Sequence, residues 1–222
     1  MRSLDFTPVS LTVLPLMGVL CGFVQAQETQ AMKGMPPRAA ASEYQAQAKA
    51  GAVTIGAEFM GHSVPTPDAI YEAEDYVVIE VGLFGPPQAT ARLATGDFSL
   101  RVNGSKKVLP NQPYELAFKS LKDPSWEPPK TDEKSKSSFS TNGGGGAGGN
   151  PGDPPPLPPK MPLELRRAME LHVQRAAMLE GERPLPQAGL LFFEYRAKTK
   201  NITSLELIYN GAAGNAVLAL HP

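Results

Sequence analysis

The stretch YVVIEVGL at residues 76–83 decides the fold class of this chain of 222 residues. Apolar side chains alternate along it with a period of two, so Val77 and Ile79 share one face of a strand and Glu80 lies on the other. The same alternation recurs at 53–59 and 98–102. These three segments are therefore predicted to be half-buried β-strands.

A turn signal follows the third of these strands. Asn103-Gly104 readily takes the positive φ angles of a type I′ turn, so residues 100–102 are predicted to fold back onto 107–109 as a hairpin. The same patterning predicts three further strands near the C-terminus, at 189–196, 204–209 and 216–220.

A helix and an irregular tract separate the two groups of strands. Residues 163–179 carry apolar side chains, among them Leu165 and Met169, at helical spacing, and Pro162 suits the start of a helix. Before the helix, residues 128–160 combine mixed charge, a glycine run and a proline run. Such a composition cannot bury a core, so we expect a disordered, flexible insert.

The number of strands favours one domain. Three C-terminal strands and one helix cannot bury both faces of their own sheet, whereas joining them to the N-terminal strands gives about seven or eight strands. We therefore predict a single antiparallel β-sandwich at 51–222, interrupted by the insert at 128–160 and the helix at 163–179. The helix is expected to cap an edge or an open end of the sandwich.

Four segments resemble exported bacterial immunoglobulin-like sandwich domains, a family of uncharacterised function. The long strand after Tyr76 and the late strand that opens with Gly189 and contains Phe192-Phe193 are similar to that family's packing pattern. The resemblance covers most of the chain expected to be ordered, and its segments are 76–81, 96–100, 189–193 and 204–209. It implies an immunoglobulin-like fold and no particular activity, and the insert and helix depart from the simple family pattern.

The first residues predict export. Arg2 precedes an apolar stretch that ends in Val24-Gln25-Ala26, so residues 1–26 are interpreted as a signal peptide and 27–50 as a disordered tether. We expect a periplasmic or extracellular protein with no membrane span after signal removal. Cys21, the only cysteine, would leave with the signal, so no disulfide remains. The net charge of −1 argues against nucleic acid as a partner.

No pattern for catalysis, metal binding or a cofactor emerges from the residues. The three histidines, His62, His172 and His221, share no ligand spacing, and no Gly-x-Ser-x-Gly elbow places a serine on a sharp turn. The glycine run at 143–149 lacks the Lys-Ser/Thr pair of a phosphate loop. We therefore assign no catalytic residue, no metal ligand and no cofactor.

The remaining candidates are residues for contact with a partner. Trp126, at the border of the insert, either pins a loop onto the domain or stacks on a sugar or peptide. Leu165 and Met169, on the apolar stripe of the helix, pack either on their own domain or on a partner. The resulting hypothesis is a non-catalytic binding or structural module for an unidentified envelope or extracellular protein or glycan.

The alternative hypothesis is a small secreted hydrolase that uses surface carboxylates. Its candidate acids are Glu72, Asp75 and Glu80. Glycoside hydrolysis needs two carboxyl groups that face each other across the scissile bond. The enzyme therefore requires a second acid on the same sheet face as Glu80.

Overall fold

The computed structural model describes residues 34–128 and 160–222. The predicted signal peptide at 1–26 and almost all of the predicted insert at 128–160 lie outside the described residues. Within them the chain forms strands and two α-helices, α1 at Tyr114–Ala117 and α2 at Leu163–Ala176. The strands, in chain order, are β1 Ala46–Ala50, β2 Val53–Gly61, β3 Ser63–Pro65, β4 Ile70–Ala73, β5 Tyr76–Phe84, β6 Thr90–Leu93, β7 Phe98–Val102, β8 Leu109–Gln112, β9 Leu121–Lys122, β10 Gly181–Pro184, β11 Gln187–Glu194, β12 Leu205–Gly211 and β13 Gly214–Leu220.

One large antiparallel sheet dominates the molecule. Its eight strands run in the order β1-β2-β5-β11-β8-β7-β12-β13. The sheet curls until its first and last strands lie side by side, and the Gln45 side-chain amide donates to the carbonyl oxygen of His221 at 2.6 Å. The predicted mainly β, antiparallel class is confirmed. The arrangement is a nearly closed, barrel-like sheet, in which each strand from β1 to β13 is hydrogen-bonded to the next in this order. The two facing sheets of the predicted sandwich are not seen among the described residues.

Strands from both sides of residues 129–159 pair within this sheet. β11 pairs with β5, with Phe193 opposite Val77, and β12 pairs with β7, with Tyr209 opposite Phe98. The N-terminal strands would expose apolar surface without these C-terminal neighbours. The two parts of the chain therefore share one hydrophobic interior.

The interior of the curled sheet is the main core. Ile55, Ile79, Leu100, Phe193 and Leu207 are fully or almost fully buried there. Ile55, Ile79 and Leu100 belong to the alternating sets that the sequence pattern identified. Their burial supplies the largest favourable term in folding, at roughly 25 cal/mol for each Å² of apolar surface removed from water.

A second core lies on the outer face of β5 and β11. α2 packs there through Met169, Val173 and Ala176, against Val78 and Phe192. The small three-stranded sheet β3-β4-β9 contributes to the same core. β5 is therefore buried on both faces and not half-buried as predicted, because α2 and the small sheet cover the face opposite Val77. The helix covers this face of the large sheet and does not cap an edge or open end of a sandwich.

α2 is shorter than predicted because the chain after it joins β11. The helix ends at Ala176 and not at residue 179. Ala177 forms a parallel bridge with Leu190, and the Met178 amide donates to the Leu190 carbonyl at 3.0 Å. Gly189 permits this approach, since a Cβ at that position would overlap the backbone of Met178.

The predicted disordered tether at 27–50 requires a correction over residues 34–50, where Ala41–Glu43 forms a 3-10 helix and Tyr44 is buried; residues 27–33 lie outside the described part of the chain. Ala46–Ala50 forms β1, which pairs along its whole length with β2. Ala46 and Ala48 pack against the main core and Ala50 is fully buried. Alanine has a low β propensity, which is why the composition suggested disorder, but here it fits against the curled sheet.

The hairpin predicted at Asn103-Gly104 is confirmed. Leu100 pairs with Leu109, and the Ser105 amide donates to the Val102 carbonyl at 3.0 Å across the turn. The φ angles of Asn103 and Gly104 are 51° and 63°, both positive as a type I′ turn requires.

Candidate functional site

A groove beside α2 brings two of the three predicted contact residues together. Its volume is about 660 Å³, within the roughly 300–1,000 Å³ typical of ligand sites. We call it the Trp126 groove. Its apolar lining consists of Phe118, Leu121, Trp126, Met161, Leu163 and Met169.

A short turn places Trp126 on one wall of the groove. In the segment Asp123-Pro124-Ser125-Trp126, the Trp126 amide donates to the Asp123 carbonyl at 3.1 Å. The Asp123 carboxylate accepts hydrogen bonds from the Ser125 amide at 2.8 Å and the Ser125 hydroxyl at 2.6 Å. Proline favours the second position of such a turn, and aspartate favours the first. The indole ring is held half-buried at the rim.

The first turns of α2 form the opposite wall. Pro162 precedes the helix, and its carbonyl accepts a hydrogen bond from the Arg166 amide at 3.1 Å. Leu163 is exposed at the rim, whereas Met169 reaches the floor and is only 3% exposed. The wall is rigid because Met169 and Val173 are anchored in the second core.

The rim of the groove is positively charged. Lys119, Lys122, Lys160 and Arg166 line it, against the single carboxylate of Asp123. Lys122 forms an ion pair with Glu74 at 2.5 Å, and Arg166 with Glu170 at 3.1 Å. Lys119 and Lys160 form no ion pair with any other residue that the structure describes.

The structure brings Trp126 and Met169 together and leaves Leu165 apart from them. Trp126 and Met169 share the groove, although Met169 is a buried floor residue and Leu165 lies outside the lining with half of its surface exposed. Sequence analysis missed the basic rim. The signal was present as two lysines, Lys119 and Lys122, just before the Asp-Pro turn, but their convergence with Lys160 depends on the tertiary fold.

The carboxylates of the hydrolase hypothesis lie elsewhere. Glu80 is on the outer face of β5, as predicted, and stands opposite Glu58 of β2 in the sheet register. Arg38 bridges the two: its guanidinium lies 2.5 Å from Glu58 and 2.7 Å from Glu80. Glu80 is only 4% exposed. Glu72 is exposed on β4, and Asp75 lies in the turn that leads to Tyr76.

Arg38 also covers the ring of Tyr44. Its guanidinium carbon lies 4.5 Å from the ring centroid, a cation–π distance. The other side of the ring rests on Gly56 and Gly82, which face each other across β2 and β5, and a Cβ on either would overlap it. Burial, followed by the negative charge of Glu80, raises the pKa of Tyr44 to about 12. The hydrogen bond to Glu80 raises the pKa of Arg38 despite its partial burial.

A line of three side chains joins α2 to the β3–β4 hairpin. The Tyr71 hydroxyl lies 2.7 Å from His172 Nδ1, and His172 Nε2 lies 3.6 Å from an Asp68 carboxylate oxygen. Burial raises the pKa of Tyr71, helped by the charges of Asp123 and Asp68. Tyr71 is buried and outside the groove lining, so these contacts link α2 to the hairpin and do not belong to the groove.

A smaller cleft of about 350 Å³ lies where β8 meets the chain after α2. Glu180 accepts hydrogen bonds from the hydroxyl and amide of Thr95 there, and these bonds lower its pKa.

Across residues 34–128 and 160–222, no group of three or more histidine, cysteine, aspartate or glutamate side chains is arranged to hold a metal ion. Neither described helix has the length and apolar character needed to cross a membrane.

Comparison with protein-family models, with curated proteins and with solved structures found no match to this chain.

Proposed function

We propose that this protein is an exported, non-catalytic binding module whose binding site is the Trp126 groove. The observation that carries the proposal is the convergence of an aromatic side chain, an apolar floor and a basic rim in one concave site. Ligand sites combine apolar walls with a few polar groups that orient the ligand, and the groove has both.

The groove stands on a rigid support. Its floor residue Met169 belongs to the second core, and β9, at its other wall, pairs with β4. A preformed site loses less conformational entropy when it binds than a flexible one. This arrangement supports a role in recognition, with the large sheet as the scaffold.

Export is part of the proposal. The proposal of export rests on the apolar stretch within residues 1–26 and its small-residue ending. An exported protein would act in the periplasm or outside the cell. The resemblance to immunoglobulin-like exported domains supports the proposal only through the shared antiparallel β character. The expected partner is an envelope or extracellular protein or glycan.

A small secreted hydrolase is the second candidate, favoured by the facing carboxylates of Glu58 and Glu80. For these groups to act on a substrate, Arg38 would have to leave both of them. Incubation of the purified protein with envelope polysaccharide and assay of new reducing ends tests this candidate. Hydrolysis that disappears in a Glu80→Gln variant would establish the enzyme and refute the binding module.

The binding proposal is tested by capture from the protein's own cell envelope. Trp126→Ala removes the aromatic wall, and Leu165→Ala is the matched control because Leu165 is exposed on the same part of the chain but outside the groove. We expect a partner that is retained by the wild type and Leu165→Ala and lost by Trp126→Ala. Equal retention by all three proteins would refute the groove as the site.

A further inference from the structure

The charges of the Trp126 groove identify the class of ligand. Cations line the groove from two segments of the chain: Lys119 and Lys122 come from the segment that leads to Trp126, and Lys160 and Arg166 come from the start of α2 and the residues just before it. Because Lys122 and Arg166 are paired with Glu74 and Glu170, Lys119 and Lys160 supply the positive charge that no described carboxylate neutralises, one from each segment. The one carboxylate, Asp123, is engaged with Ser125 in the turn. The groove therefore attracts a ligand with negative charge on both sides.

The apolar lining adds a second requirement. Phe118, Trp126 and Met161 are all half-buried, so each presents part of its apolar surface to the groove. Burial of a large apolar side chain against them removes apolar surface of both partners from water, which favours binding. A purely anionic ligand such as phosphate would leave the apolar lining exposed to water. The ligand therefore needs a large apolar group between its charges.

An acidic peptide has this pattern, whereas a fatty acid carries one charge at one end. On the basis of the proposed function, we propose that the groove binds peptide segments in which aspartate or glutamate residues flank a large apolar side chain. Lys119 and Lys160, which form no ion pair with another described residue, are the contacts we assign to the carboxylates. Since the attraction is electrostatic and at the surface, binding weakens as salt increases.

The probe is the synthetic peptide Glu-Asp-Leu-Phe-Glu-Asp. Trp126 is the only tryptophan of the chain, so its fluorescence reports occupancy of the groove directly, and calorimetry supplies an independent affinity. We expect one bound peptide for each protein chain. Two control peptides, Lys-Arg-Leu-Phe-Lys-Arg and Glu-Asp-Ser-Ser-Glu-Asp, are expected to bind at least about tenfold more weakly.

Charge reversal on the protein tests the assigned contacts. Lys119→Glu combined with Lys160→Glu is expected to weaken peptide binding by about tenfold or more, because attraction becomes repulsion at both positions. Lys106→Glu is the matched control: it reverses an exposed lysine in the β7–β8 turn, outside the groove. Circular dichroism verifies that each variant retains its fold.

Absence of acidic-peptide binding overturns the inference, and so do four other results. They are equal binding of the basic peptide, no effect of the double charge reversal, binding of decanoate without binding of the acidic peptide, and peptide binding only after removal of residues 129–159. The last result would make this chain's own segment the occupant. Absence of peptide binding while Trp126→Ala still loses its envelope partner refutes only the ligand class, whereas failure of both experiments refutes the proposed function as well.

Discussion

Arg38 compensates the negative charge of Glu80, which is buried on β5. A carboxylate removed from water needs a partner, and Arg38 provides two hydrogen bonds to it, at 2.7 and 3.1 Å. The same guanidinium covers Tyr44 and reaches Glu58. One side chain thus fixes the segment before β1 on the outer face of the large sheet.

Removal of Arg38 is therefore expected to destabilise the protein. We predict that Arg38→Ala lowers the free energy of unfolding by about 2–3 kcal/mol, less than the ~3–5 kcal/mol of a fully buried pair because Arg38 is partly exposed. Urea denaturation measures the effect. Arg101→Ala, which breaks the exposed pair with Glu206, is the control and should cost less than about 1 kcal/mol. Equal losses in the two variants would contradict the special role of Glu80.

The raised pKa of Tyr44 predicts sensitivity to alkali. Its folded pKa of about 12 exceeds the unfolded value of roughly 10, so the folded state holds the phenolic proton more tightly. This contribution to stability is complete below pH ~10 and is lost as the pH rises towards 12. Tyr44→Phe should therefore lose less stability than the wild type over this interval, as measured by urea denaturation at a series of pH values. Identical pH profiles would contradict the prediction.

Among the elements, α2 combines a structural face with an exposed one. Met169 and Val173 are buried in the second core, while Leu163, Leu165 and Leu171 are exposed. The helix thus packs on its own domain through one stripe. A Met169→Asp variant would test folding as much as recognition, so among the apolar residues of this helix only Leu163, which is exposed and lines the Trp126 groove, reports on a partner.

The two faces of α2 should differ in their contribution to stability. Met169→Ala is predicted to lower the free energy of unfolding by about 2–4 kcal/mol, since it leaves a cavity in the second core. Leu165→Ala, at a half-exposed position of the same helix, should change it by less than about 0.5 kcal/mol. Chemical denaturation of both variants decides the matter, and a large loss from Leu165→Ala would contradict the observed packing.

Long, strongly patterned strands were predictable from the sequence, and short ones were not. Phe98–Val102 has the predicted bounds, and the longer strands at Val53 and Val77 extend the prediction by a few residues. β3, β9 and β10 are short and carry little alternation, so only their tertiary neighbours define them. The alanine strand β1 was missed for a different reason: it alternates, but alanine has a low β propensity.

At the scale of the whole molecule, the large sheet is built from both sides of residues 129–159. The pairs β5–β11 and β7–β12 are long and lie at the centre of the sheet, so the two parts should hold together without a covalent link. We predict that cleavage at a protease site introduced within 129–159 leaves one particle of unchanged size in gel filtration, which separates only in denaturant. Elution of two smaller fragments would refute the shared interior.

Neither the curvature of the sheet nor the groove could be predicted from the sequence, and the reason is the same for both. Alternation identifies which face of a strand is buried, but a sandwich and a curled sheet place the same residues inside. Similarly, Trp126 could be selected as a contact residue, yet its place in one groove with Met161 and Leu163 depends on how α2 packs on β5 and β11. Contacts between distant parts of the chain carry this information, and local patterns do not.

The side-by-side placement of β1 and β13 has a consequence for how the protein behaves in crowded surroundings. An unpaired outer strand is a template on which another copy can polymerise. Here β1 and β13 lie side by side, so each strand blocks access to the outer edge of the other. The hydrogen bond from Gln45 to His221 links the two strands at one end. The curl therefore shields the sheet from edge-to-edge aggregation, without a lysine-rich border or proline to interrupt either strand.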